Sequence, residues 1–216
     1  MPFYGVPEMP APDTDTKPTK PKVAARERLV LAAAALFAEK GFDGVTVREI
    51  CKAAGTSINM IHHYFETKDG LLNEILSRYD KEVFAVPLRL MQTPPASPDD
   101  LISRVGLVFE TTLEAAIKER DMMLVAFRTQ AQLSTLEAFQ TAMSGFLSAA
   151  QDAGFVREGV DCAMITGAML DRIVNQVQFA PWLKKSYGID LATDTAYRSR
   201  WCAANVDLFL NGMLPR

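Results

Sequence analysis

Between Thr46 and Phe65 the chain sets hydrogen-bonding side chains at helical spacing around a few apolar anchors. Thr46-Val47-Arg48-Glu49 has the form of a capping box: the threonine hydroxyl caps a helix start and the glutamate reaches back to it. Val47, Ile50 and Ala54 make the apolar stripe of that helix, and Gly55 ends it with a residue that tolerates positive φ. Ser57 stands where it can cap a second short helix. Ile61 and Phe65, four residues apart, anchor this helix inward, while Asn59, Met60 and His63 face away. Two short helices joined by a turn, the second displaying amide and imidazole groups, suit the reading of base edges in a major groove.

Bond-breaking chemistry is poorly supplied. The sequence holds no GxSxG, no HExxH and no phosphate-binding glycine loop. Its two histidines, His62 and His63, are adjacent, so they point in different directions on a helix and make a poor metal pair. Cys51, Cys162 and Cys202 are far apart and read as reduced thiols. No catalytic residue, metal site or cofactor is expected, and the chain reads as not an enzyme.

Around this constellation the pattern is helical throughout. Leu29, Ala33, Leu36 and Phe37 form a stripe on a helix that begins near Val23 and stops at Gly41, expected as a left-handed cap. The two short helices cover 47–54 and 58 to about 64. Thr67 caps a fourth helix from Lys68 to about Leu90, which Pro87 bends or ends. Further helices are expected near 99–119, 121–132, 135–153, 160–179 and 193–213, the last two separated by a loop around Pro181 and Gly188. The fold class is all-α: an N-terminal three-helix helix-turn-helix head plus a C-terminal antiparallel helical bundle, about nine helices. The expected domains are a flexible tail over 1–22, which holds six of the twelve prolines, a DNA-binding head over 23–68 and a helical body over 69–216.

Charge follows the same division. The whole chain carries −3, but residues 17–70 hold nine Lys/Arg against six Asp/Glu, a net of +3, which leaves −6 for the rest. A basic head on an acidic body is the asymmetry expected of a nucleic-acid reader. The longest apolar run, Leu29 to Ala38, is too short to span a bilayer, and the proline-rich start lacks the apolar stretch of a signal peptide, so a cytoplasmic location without membrane contact is expected.

At Thr46–Ile50, Ala53–Ser57, Ile61–Phe65 and Lys68–Leu71, with Ala35–Phe42 upstream, the sequence resembles the TetR family of bacterial regulators (TetR/AcrR-type). The match covers roughly residues 26–76; beyond it only the helical layout and Leu208-Phe209-Leu210-Asn211-Gly212 are similar. The resemblance implies an omega-shaped dimer that represses from a palindromic operator on double-stranded DNA until a small-molecule inducer releases it. It implies phosphate contacts from Thr46, Arg48 and Tyr64, positions at the groove edge for Thr56 and Ser57, and reading positions for Ile58, Asn59, Met60, His62 and His63. It also implies a contact from Lys68 to the DNA backbone as a point charge. Asn59 stands where many relatives have Gly; its amide either reads adenine or bonds the backbone near the helix start. His62 replaces a usual Tyr and loses that hydroxyl.

In the body, Phe109, Met122, Met123, Phe127, Phe139 and Met143 are candidate lining for a largely apolar inducer, with core packing as the competing reading. Phe146 shares that composition. Asp171 and Arg172 either hold a polar ligand group or form an intramolecular or cross-dimer ion pair. The helices near 160–179 and 193–213, with Met164, Ala168, Ile173, Val177, Trp201, Val206, Leu208 and Leu210, are expected to pair two copies of the chain. A DNA head that no longer binds DNA, kept as a protein-interaction module, is the alternative. The net positive 17–70 segment and the intact Thr46, Tyr64 and Lys68 argue against it.

Overall fold

The computed structural model describes residues 24–213 apart from residue 132. The expected tail over 1–22 lies outside the described residues. Among these residues ten α-helices and no strand are found: α1 (Ala25–Lys40), α2 (Val47–Ala54), α3 (Ile58–Phe65), α4 (Lys68–Leu90), α5 (Pro98–Lys118), α6 (Arg120–Arg128), α7 (Ser134–Asp152), α8 (Cys162–Gln178), α9 (Ala180–Tyr187) and α10 (Thr195–Met213).

Local chemistry fixes most boundaries. The Thr46–Glu49 capping box forms in full, Thr67 Oγ1 accepts from Gly70 N at 3.0 Å, and Gly55 closes α2 in the left-handed conformation. Ser97 and Asp161 cap α5 and α8 in the same way. Three boundary expectations are corrected. Ser57 precedes α3 but its side chain caps nothing. Gly41 has a positive φ of 80° with an extended ψ of 160°, so it leads the chain straight out of α1 rather than closing it as a left-handed cap. The expected loop around Pro181 is instead α9. Proline in the first turn needs no N–H partner, so Pro181 starts this helix, and Gly188, left-handed, stops it. Pro87 lies inside α4 without ending it, and the helix runs on to Leu90.

Helix α4 is common to both halves of the molecule. Leu71, Ile75, Tyr79 and Val83 repeat every four residues and are all buried, so one face of α4 is core along most of its length. Its early turns pack on α1 and α3, and α5, α6 and α7 also pack on it. Helix α5 sits between α4, α8 and α10, and α1 packs on α6. No described helix is long and apolar enough to cross a membrane.

Candidate nucleic-acid interface

The head is held by contacts that no local pattern announces. Arg28 Nε donates to the Ala54 carbonyl at 2.9 Å and so ties α1 to the end of α2. Arg78 donates to both carboxylate oxygens of Glu27 at 2.7 and 2.8 Å, and Arg26 pairs with Glu74 at 2.7 Å, which lock α1 onto α4. Lys40 pairs with Glu49 at 3.1 Å across α1 and α2. The Thr46 backbone N–H and hydroxyl, together with the Lys40 ammonium, hold the Glu49 carboxyl down to about 2.

On this frame α3 turns one ridge outward. Ile61 and Phe65 are buried. At about 100° per residue, Asn59 and His63 fall on the opposite side of the helix, and both are exposed, as are His62 and Ser57. Tyr64 and Ile58 flank the ridge, each 37% exposed. The His63 and Tyr64 rings meet edge to face at 4.8 Å between centroids. Met60 is only partly exposed and packs against the core, so it stands at the margin of this surface.

His62 has a local task. Its Nδ1 lies 2.9 Å from the Glu66 carbonyl, and since a carbonyl only accepts, Nδ1 carries the proton. This bond steadies Glu66, the residue closing α3 at φ 63°, a conformation non-glycine residues seldom adopt. Gly70 is required just beyond: a Cβ there would lie 2.0 Å from the Phe65 carbonyl oxygen. The α3–α4 junction therefore closes only around a glycine.

Three residues that the family resemblance assigns to DNA are differently engaged. The Lys68 ammonium donates to the carbonyls of Phe42 and Val45 at 3.0 and 3.1 Å and sits 4.1 Å above the centre of the Phe42 ring. It clamps the loop between α1 and α2. The Thr56 hydroxyl is buried in the turn with no hydrogen-bond partner rather than standing at a groove edge. Thr46 lends its hydroxyl to the capping box, with Oγ1 2.8 Å from Glu49 Oε2. Arg48 remains exposed on the first turn of α2.

Against this geometry the comparisons are specific. Residues 29–75 match the model of the bacterial regulatory proteins of the tetR family. The chain belongs to the TetR family. Across 90% of its length this TetR-family protein is 24% identical to the HTH-type transcriptional regulator YdgC of Bacillus subtilis, covering 95% of that protein. It is 29% identical over 158 residues to the HTH-type transcriptional repressor KstR2 of Rhodococcus jostii, covering 70% of this chain and 75% of that one. Among solved structures, KstR2 of Mycobacterium tuberculosis is similar with a TM-score of 0.70 at 19% identity, over 89% of this chain and 96% of that one. PfmR of Thermus thermophilus gives 0.67 at 22% identity, over 90% and 99%. This TetR-family chain is a DNA-binding transcriptional regulator.

The body of the regulator divides the six candidate lining residues. Met123 and Phe127 border a cavity of about 120 Å³ enclosed by α4, α5, α6, α7 and α8. Phe109, Phe139 and Met143 surround a void of only about 10 Å³ and are core. Met122 is fully packed and lines neither. Sequence reasoning missed Tyr79 and Thr112 in the cavity wall. Thr112 did leave a signal, as a polar residue on the apolar ladder Val105, Val108, Phe109, Thr112, Ala116 of α5. Asp171 also borders the cavity, and Arg172 Nε donates to Asn205 Oδ1 at 2.7 Å.

The residues named on the candidate pairing helices divide by burial. Ile173, Val177 and Leu210 are buried within the protomer. Met164 and Leu208 are open, as are Phe179, Trp182 and Tyr187 on and beside α9.

Proposed function

We propose that the chain is a homodimeric repressor that occupies a palindromic operator and leaves it when a small molecule enters the body. The observation that carries this reading is the outward ridge of α3, with Asn59 and His63 exposed on a helix pinned by Ile61 and Phe65. Arg48, Ser57, Ile58 and Tyr64 surround it as candidates for phosphate or base contact, with Met60 and His62 at its margins. The head over 23–68 reads the DNA; the body over 69–216 supplies ligand site and dimer contact. Exposed Met164 and Leu208 on α8 and α10 support pairing through those helices.

A path from ligand to DNA is available in the packing. Helix α4 carries Tyr79 and Val83 in the cavity wall and continues to the head. Beside Tyr79, Asp80 accepts from the Thr135 backbone N–H at 2.9 Å and from the hydroxyls of Thr135 and Ser134 at 3.0 and 3.1 Å, which ties α4 to the start of α7. Phe127 belongs to the cavity wall and to an open groove against α1, and Arg128 at the end of α6 donates to the Glu39 carbonyl at 3.2 Å. An occupant that moves α4 or α6 moves the head. A relative's description as a ketosteroid regulator belongs to that protein. The cavity here, about 120 Å³, is below the roughly 300 Å³ of sites for drug-sized ligands.

Selection of bound duplexes from a random pool tests the reading. The expected product is an inverted repeat whose half-sites lie about one helical turn apart. A chain that enriches no sequence, or enriches only single half-sites bound by monomers, overturns it.

A further inference from the structure

Thr112 is 2% exposed and its hydroxyl has no hydrogen-bond partner. Helical threonines ordinarily bond a carbonyl one turn back, as Thr111, Thr129, Thr141 and Thr166 do here at 2.6 to 2.9 Å. Thr112 does not, and it lies in the wall of the α4–α8 cavity. A buried hydroxyl left unpaired destabilises a protein, so its retention asks for a partner that arrives later. Tyr79, on the same wall, is also buried, and its hydroxyl bonds no described residue. Burial, and then the nearby Asp80 charge, push the Tyr79 phenol upward, so it stays protonated and able to donate.

The rest of the wall limits the occupant. Among the described residues it is mostly apolar, with Val83, Phe84 and Met123 among its members, and none of them is Lys, Arg or His. Among those residues the one ionisable group besides Tyr79 is the carboxylate of Asp171, which is exposed. A buried anion would find no counter-charge there. At about 120 Å³ the space approaches the roughly 150 Å³ of an engineered apolar cavity that admits benzene. Phe127, 45% exposed at the cavity edge, offers an entry by a change of rotamer.

We propose that the cavity takes a compact, uncharged, mostly apolar molecule bearing one hydroxyl or carbonyl oxygen, and that Thr112 and Tyr79 recognise that oxygen. This assignment deepens the ligand-responsive reading and rests on it. Phenol and toluene are matched probes, since they differ by a hydroxyl against a methyl. The full chain, carrying methionine labelled with carbon-13 at the methyl, is titrated with each; the Met123 resonance, identified with Met123→Leu, reports occupancy of this cavity. Both probes are expected to move it. In Thr112→Val, which keeps the side-chain shape, the preference for phenol relative to toluene is expected to fall about five- to tenfold, with toluene binding within about twofold of the parent. Tyr79→Phe is expected to act in the same direction. The ratio between probes cancels the difference in their own hydration.

An unchanged ratio in both variants overturns the recognition of an oxygen and leaves the cavity as a plain apolar site. A Met123 resonance unmoved by either probe in folded protein overturns the site itself. Binding that never weakens the complex with the selected operator sinks the regulatory reading and leaves the assignment of Thr112 and Tyr79 standing.

Discussion

On α3 the polar groups Asn59, His62 and His63 stand in solvent while Ile61 and Phe65 are buried; in the cavity the Thr112 hydroxyl is shut away and the Phe127 ring is partly open. The first arrangement costs the folded protein little, because water satisfies the exposed polar groups. The second leaves a donor and acceptor unpaired in the interior, which is destabilising. In the roles proposed for them, the reading surface would be built from stable parts, whereas the small-molecule site would hold its selectivity as stored instability.

Four changes would break or sharpen this contrast. The largest effect is expected from Gly70→Ala, whose Cβ would meet the Phe65 carbonyl oxygen at 2.0 Å. The junction must open, at a cost of about 3 kcal/mol, seen in chemical denaturation, with operator binding lost in parallel; a neutral variant would mean that α3 is not fixed to α4 as described. Next, Asn59→Ala should cost about 1–3 kcal/mol in operator affinity while leaving stability within about 0.5 kcal/mol. Gel shifts paired with thermal melts separate the two, and a stability loss equal to the binding loss would place Asn59 in the head's structure rather than on its reading face.

Thr112→Val should act in the opposite sense and stabilise the ligand-free chain by about 1 kcal/mol, raising its melting temperature by roughly 2–4 °C. A lowered melting temperature would show that the hydroxyl already has a partner. The smallest effect concerns acid. Glu49 is held from its ordinary 4.5 down to about 2, so the folded state favours its ionised form. Its contribution is complete above the unfolded value and is lost as pH falls through the folded one. Melting curves of the parent and of Glu49→Gln should differ at neutral pH and draw together as pH falls from about 4.5 through 2; a difference undiminished at pH 2 contradicts the capping role.

Sequence spacing foretells the head well because its determinants are local. The capping box, Gly55, and the Ile61–Phe65 pair all act within four residues. Where sequence and structure part, long-range contacts or a proline's position decide the outcome. Lys68 meets carbonyls 23 and 26 residues away, which no motif encodes, and Thr56 turns inward because the turn closes over it. Pro181 suggests a break in the chain, yet in a first turn it begins a helix. In the body, Met and Phe content marks apolar interior without separating the packed Phe109, Phe139 and Met143 from the cavity-lining Met123 and Phe127. Only the assembled bundle makes that distinction, because a cavity belongs to the gaps between five helices and not to any one of them.

The unbroken course of α4 through Pro87 has a mechanical consequence. Its 23 residues make a rod of about 35 Å, with the cavity wall along its second half and the reading head at its first turn. A tilt of about 5° pivoting near the far end would sweep the Lys68 end by about 3 Å. In the proposed dimer such displacements would add across the pair. A small swing of one stiff lever in each proposed subunit would thus be enough to put both heads out of step with the pitch of the duplex.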